Sequence, residues 1–430
     1  MNCLSRVASL VVHSPLLLFF LSSFALHPSS LRGQGALTPP GPPAPNMKTL
    51  DQIEPRTPLK SADFPLTITA SGSYYLTENV KLTADSSTGI TINTSNVTID
   101  LNGFSLIGPA ALSITGDGIV CISDAAANIT ISNGGLQFWS ADGCDLSKAQ
   151  SSKVTNVVSY GNGGVGILVG TDGIVSNCAV QYNIRSGIKT SDFCVIDHCT
   201  SQFNANYSAY GIECGQSCIV SNCTAHANLS SGGIYVGFGG SIIGCTAYNN
   251  QGGFITSDYC FVSNCVGFQN YYQGFLLGEG SAISDCAAGE NQHDGFSLIG
   301  SGIATNCVSR SNGGTGFYLN GASAAINCSA SSNADDGFLV GNDCTLNGNK
   351  SYSNSFLGFE IGGTGNTVVG NAAGANSTGF GFFSQNNFIA KNVAHGNIDA
   401  AFSFSGNQTA GTVYHGAGTI PNDPWANFEY

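Results

Sequence analysis

Between Gly166 and Phe402 the chain repeats one phrase about every 21 residues, and this period constrains the fold more than any single motif. Three ladders keep its register. The first is Gly followed by Ile or Phe, as in Gly187-Ile188, Gly233-Ile234, Gly295-Phe296 and Gly379-Phe380. The second runs from Cys178 through Cys199, Cys223 and Cys245 to Cys328 and passes to Asn349, Asn371 and Asn392. The third sets an Asn five residues after each of these, from Asn183 to Asn397. Short alternating stretches such as Gly274-Phe275-Leu276-Leu277, split by Gly, Ser and Asn, read as strands. Parallel strands need crossovers, and crossovers made of further strands wind the chain into a coil. The expected fold is all-β: a single right-handed parallel β-helix (a solenoid) of about 14 coils, counted from Gly89 to Gly379, with N- and C-terminal caps.

The ladders have physical reasons. Ile or Phe after each Gly points inward and stacks on its copies, and two positions later residues such as Val169, Leu277 and Val340 also point in. Stacked Asn amides donate and accept along a column, satisfying one another at a bend. The cysteine spacing, once or twice per coil, matches neither a zinc knuckle nor a redox pair. A small, buried, apolar slot accounts for it. Disulfides between adjacent coils are the alternative, since an exported chain meets oxidant.

Outside the repeat, Arg6 followed by an apolar run to about Leu26 reads as a signal peptide over residues 1–25. A Pro-rich linker follows over 26–46, then an N-terminal cap over 47–88 in which Met47–Ile53 suits a short helix. The β-helix is expected over 89–410 and a C-terminal cap over 411–430, with Pro421, Pro424, Trp425, Phe428 and Tyr430 closing the last coil. The expected location is therefore secreted, periplasmic or at the cell surface, with no transmembrane segment beyond the signal.

Charged residues make up only 9% of the chain, the net charge is −13, and the repeat region carries few basic residues, among them Arg185, Lys189 and Arg310. Nucleic acid needs a basic stripe to displace its counterions, so it is excluded as a partner. A strongly anionic polymer is disfavoured on the same ground, and neutral glycans or protein surfaces fit better. No cofactor and no metal are expected.

A solenoid displays position i of every coil in a line, so function is sought in the outward columns. Lys189, Glu213 and Tyr235 stand one strand spacing apart, as do Gln202, His226 and Tyr248. These six residues are the candidate ligand-binding positions. The first trio could supply base, acid and sugar platform, or be a cross-strand ion pair beside an aromatic ring. Lines of exposed Tyr and Phe suit stacking on sugar rings. The insertion around Asn204–Tyr210 is the longest in the regular block.

The Gly-Ile/Phe, Asn-Cys and Asn ladders, from about Gly89 to Phe404, resemble the right-handed β-helix repeat proteins of the pectate-lyase-like superfamily. Met47–Pro58 and Gly72-Ser73-Tyr74-Tyr75-Leu76 are similar to a group of exported bacterial β-helix proteins, and Asn96–Gly103 is similar to the first strand these families share. The resemblance implies a surface for long ligands, since the superfamily holds polysaccharide lyases, hydrolases, uronan epimerases, adhesins and tailspikes; it implies no particular chemistry. The carboxylate cluster of a pectate lyase has no counterpart here, and Asp335-Asp336 is only an echo of a polygalacturonase motif. The expected function is binding of an extended polymer, carbohydrate by preference, or a structural surface role. A polysaccharide lyase, glycoside hydrolase or uronan epimerase with a divergent site is the alternative.

Overall fold

The structure is a computed structural model that describes residues 54–83, 88–109, 116–204, 209–416 and 422–430. The expected signal peptide, linker and Met47–Ile53 helix lie outside these residues, as do most of the Asn204–Tyr210 insertion and Pro421. No helix among the described residues is long and apolar enough to cross a membrane.

The chain folds as a right-handed parallel β-helix. A regular coil has three short strands, as in Ile167–Val169, Ile174–Ser176 and Ala179–Gln181. Every first strand joins one 16-stranded sheet, and the second and third strands fill a 32-stranded sheet. Each strand pairs in register with its copy one coil on, so Ile167, Ile188, Ile212 and Ile234 form one column. At the ~4.8 Å spacing of strands, 16 coils make a rod roughly 70 Å long.

Among the described residues there are 16 coils, against the about 14 expected. The additional strands, Leu66–Ile68 and Ala400–Phe404, lack the Gly mark, since Pro65 and Ala401 stand in its place. The mark exists because the next coil presses on it: a Cβ at Gly379 would lie 2.5 Å from the Ala401 carbonyl oxygen. Ala401 belongs to the last strand of its sheet, where no successor presents a carbonyl.

The interior is a set of stacks. From Phe254 to Phe402 the phenyl rings lie 4.7–5.0 Å apart and nearly parallel. The Asn ladder is buried and bonded coil to coil: Asn270 Nδ2 donates to Asn291 Oδ1 at 2.9 Å, and the Asn270 backbone N–H donates to the same oxygen at 3.0 Å. The described cysteines are buried free thiols. In their ladder the Cys199 N–H donates to Cys223 Sγ at 3.4 Å, and at the handover the Cys328 N–H donates to Asn349 Oδ1 at 2.8 Å. A thiol and an amide thus fill one slot by accepting the same backbone proton. The ladder does not stop at Asn392, which donates to Asn427 Oδ1 at 3.1 Å, and the strand Asn427–Glu429 pairs with Val393–His395.

Candidate functional site

The six sequence candidates fall on two faces. Lys189, Glu213 and Tyr235 are register partners on the 16-stranded sheet, whereas Gln202, His226 and Tyr248 are register partners on the other.

The first face is a trough. Its outward side chains alternate with inward Ile, Phe and Val, as strand geometry requires, yet nearly all are shielded. Leu168, Glu213, Tyr235, Ile255, Leu276 and Leu339 are half-buried, and Ser297 is buried. Residues just before the Gly mark line its edge, and there Ser186, Thr315 and Asp336 are buried too.

One stretch of the trough opens into a concavity of about 460 Å³ lined by Asp142, Leu168, Arg185, Ser186, Lys189 and Glu213. Lys189 Nζ donates to Glu213 Oε1 at 2.6 Å, and Ser186 Oγ donates to Glu213 Oε2 at 2.7 Å. Both carboxylate oxygens are thus engaged. Tyr235 stacks on Tyr210 with centroids 5.1 Å apart at the next coil. Arg185 is exposed at the rim and makes no ion pair among the described residues. Asp142 accepts the Val165 N–H at 2.6 Å, and burial outweighs that bond and lifts its carboxyl to about 6.

Farther along the same trough, Asp336 is 3% exposed and accepts the Leu357 N–H at 2.8 Å. Burial pushes it up to about 8, and the neighbouring Glu360 carboxylate adds to the shift. Asp294, in the same column, is also raised by burial. Among the described residues no group of three or more His, Cys, Asp or Glu is placed to hold a metal.

On the second face His226 and Tyr248, but not Gln202, belong to a longer aromatic line: Phe138, Tyr160, Tyr182, Phe203, His226, Tyr248 and Phe268 follow one another at 4.0–5.5 Å. His226 lies flat on Tyr248 at 4.0 Å and 11°, and Tyr248 on Phe268 at 5.1 Å and 10°. Faces that cover one another along the rod are not free for a sugar; edges and hydroxyls point outward. Burial lowers the His226 pKa. The line ends at a concavity of about 310 Å³ where Phe268 meets Glu290 and Arg310.

Column reading two residues after the Gly mark found Lys189, Glu213 and Tyr235 but missed Asp142, Ser186 and Tyr210. These sit one residue before the mark, in a column that also turns outward, and reading it would have found them.

No protein-family model matches the chain, and no curated protein matches it. Among solved structures it is similar to the A-module of mannuronan C-5 epimerase AlgE4 of Azotobacter vinelandii, at 13% identity and a TM-score of 0.32, over 84% of this chain and 87% of that one. It is similar to the periplasmic alginate epimerase AlgG at 11% identity and 0.32, over 83% and 76%. A mutant tailspike protein of E. coli bacteriophage HK620, in complex with a hexasaccharide, shares 10% identity at 0.38, over 84% and 70%. Likeness this slight says nothing of chemistry.

Proposed function

We propose that the chain is an exported polymer-binding protein whose trough takes an extended polysaccharide, with the Asp142–Glu213 concavity as its anchor. The observation that carries this reading is a polar concavity set among the mostly half-buried outward side chains of the first sheet. A long, shallow, mostly uncharged channel suits a chain of hydroxyl-bearing rings, for which Ser186, Arg185 and the Tyr235 hydroxyl offer donors and Glu213 an acceptor. Binding is favoured over cleavage because the Lys189 ammonium and both Glu213 oxygens already satisfy each other and Ser186.

One observation favours the enzyme reading, as a polysaccharide lyase, hydrolase or epimerase. Asp142 titrates near neutrality within the concavity, as a general acid would. Retention and cleavage assays on neutral glucans, mannans and xylans and on acidic uronans separate the two readings. The binding reading expects retention on at least one polymer, no cleavage, and retention at least about tenfold weaker in Glu213→Ala, one charged hydrogen-bonding group lost. Cleavage that Lys189→Ala or Asp142→Asn abolishes would overturn binding without catalysis.

A further inference from the structure

The outward face of the second strands differs from the trough. One column in register reads Ile174, Val195, Ile219, Ser241, Phe261, Ala282, Ile303, Ala324, with no charge in it. Ile174, Ile219, Phe261 and Ile303 are exposed, Phe261 by 67%. Val195, Ser241, Ala282 and Ala324 between them are smaller and half-buried. Large and small alternate coil by coil, so knobs and notches repeat about every 10 Å, two strand spacings.

Neighbouring columns add Phe193, Phe238, Tyr259 and Ile243, all exposed, with Phe238 and Tyr259 in edge contact at 5.3 Å. On the strands the one carboxylate, Asp197, is held by Ser221 at 2.6 Å, Asn222 at 3.0 Å and His198 at 2.6 Å, and Asp172 and Asp258 lie at the corners in the flanking columns. At about 200 Å² per large side chain, the exposed fractions amount to roughly 800 Å² of apolar residue surface. That exceeds the ~300–600 Å² patch usual on a monomer and matches the ~800 Å² each partner contributes to a stable complex.

We propose that this face is an interface between two copies of the chain, packed antiparallel about a two-fold axis that crosses the column between Ser241 and Phe261. The alternation selects the partner. Two copies laid parallel and level would set knob on knob. Reversing one about that axis sets Phe261 over Ser241, Ile219 over Ala282, Ile303 over Val195 and Ile174 over Ala324. The same operation sets Tyr259 over Gly239, Phe193 over Ser301 and Ile243 over Ser263 in the flanking columns. In the central column one operator thus matches large to small throughout, as an isologous contact demands, while at the corner it sets Phe238 over Asp258. The trough belongs to the other sheet and stays open, so the interface does not depend on the polymer reading.

Sedimentation velocity of the purified protein over a micromolar range tests this. A dimer is expected for the natural chain. Phe261→Asp is expected to weaken it at least 100-fold, with Ile303→Lys as a second charged variant and far-UV circular dichroism confirming that each is folded. Ala282→Phe is the sharper probe, because it enlarges the apolar surface while filling a notch. The knob-and-notch interface predicts that it too dissociates at least 100-fold more readily. A monomeric natural chain, a folded Phe261→Asp that remains dimeric, or an Ala282→Phe variant that associates as tightly as the natural chain would overturn the proposal.

Discussion

The trough and the flat face are built from the same three-residue strands in the same coils, yet their large apolar outward side chains differ in exposure. Leu276 and Leu339 in the trough are half-buried, whereas Phe261 and Ile303 on the flat face stand well out into solvent. The difference lies at the strand ends. First strands are entered through a Gly that packs beneath the next coil, next to the buried Asn ladder. Second strands end in corners such as Asn177, Asn222, Asn264 and Asn306, each in the left-handed conformation that Asn tolerates, and the next strand starts at once. Turn chemistry, rather than strand composition, separates a channel from a plane.

The largest effect expected from this contrast is at the trough entrance. A Cβ at Gly316 would lie 2.5 Å from the Gly337 carbonyl oxygen and 2.8 Å from Ala330 Cβ. Gly316→Ala should cost about 3 kcal/mol, at the upper end of overpacking, read as a shift of the urea midpoint. An unchanged midpoint would mean that the coils are not pressed together there.

Next comes the pH response of the trough. Asp336 is raised in the folded state, so it binds its proton more tightly than the unfolded chain does. Its contribution to stability is full below the ordinary carboxylate range and is lost as pH rises from about 4 to about 8. Asp336→Asn should therefore stabilise the protein at pH 8 by on the order of 2 kcal/mol and leave it little changed at pH 4, read from paired unfolding curves. A gain of the same size at both pH values would contradict this.

The smallest effect belongs to the flat face. Ile303→Ser, measured at a concentration low enough to keep the protein monomeric, should stay within about 0.5 kcal/mol of the natural chain, because its side chain is half in water. A loss above 2 kcal/mol would show that the face carries core packing.

The inward ladders were legible because interior slots repeat with the coil, and one residue type recurs wherever one slot does. Cys328 passing to Asn349 shows the limit of that rule: the slot is defined by the backbone proton it receives, which two chemistries can accept. The ends were less legible because Pro65 and Ala401 stand in place of the Gly mark, Ala401 in the last strand of its sheet where no later coil presses on it. The aromatic line was only half visible. Tyr160, His226, Tyr248 and Phe268 share one register, while Phe138, Tyr182 and Phe203 come from the adjoining corner position at positive φ and merge with it only in space. The shielding of Ser186 and Asp336 was not legible, because it depends on how adjoining coils pack around them in space.

The most direct test sets the two faces against each other as ligand surfaces. Binding of oligosaccharides from a retained polymer is measured by calorimetry, per protomer, for Arg185→Ala/Glu213→Ala and for Phe261→Asp. The trough variant should lose binding at least tenfold while Phe261→Asp binds as the natural chain does. Loss of binding in Phe261→Asp with full binding in the trough variant would place the polymer on the wrong face and contradict the central claim.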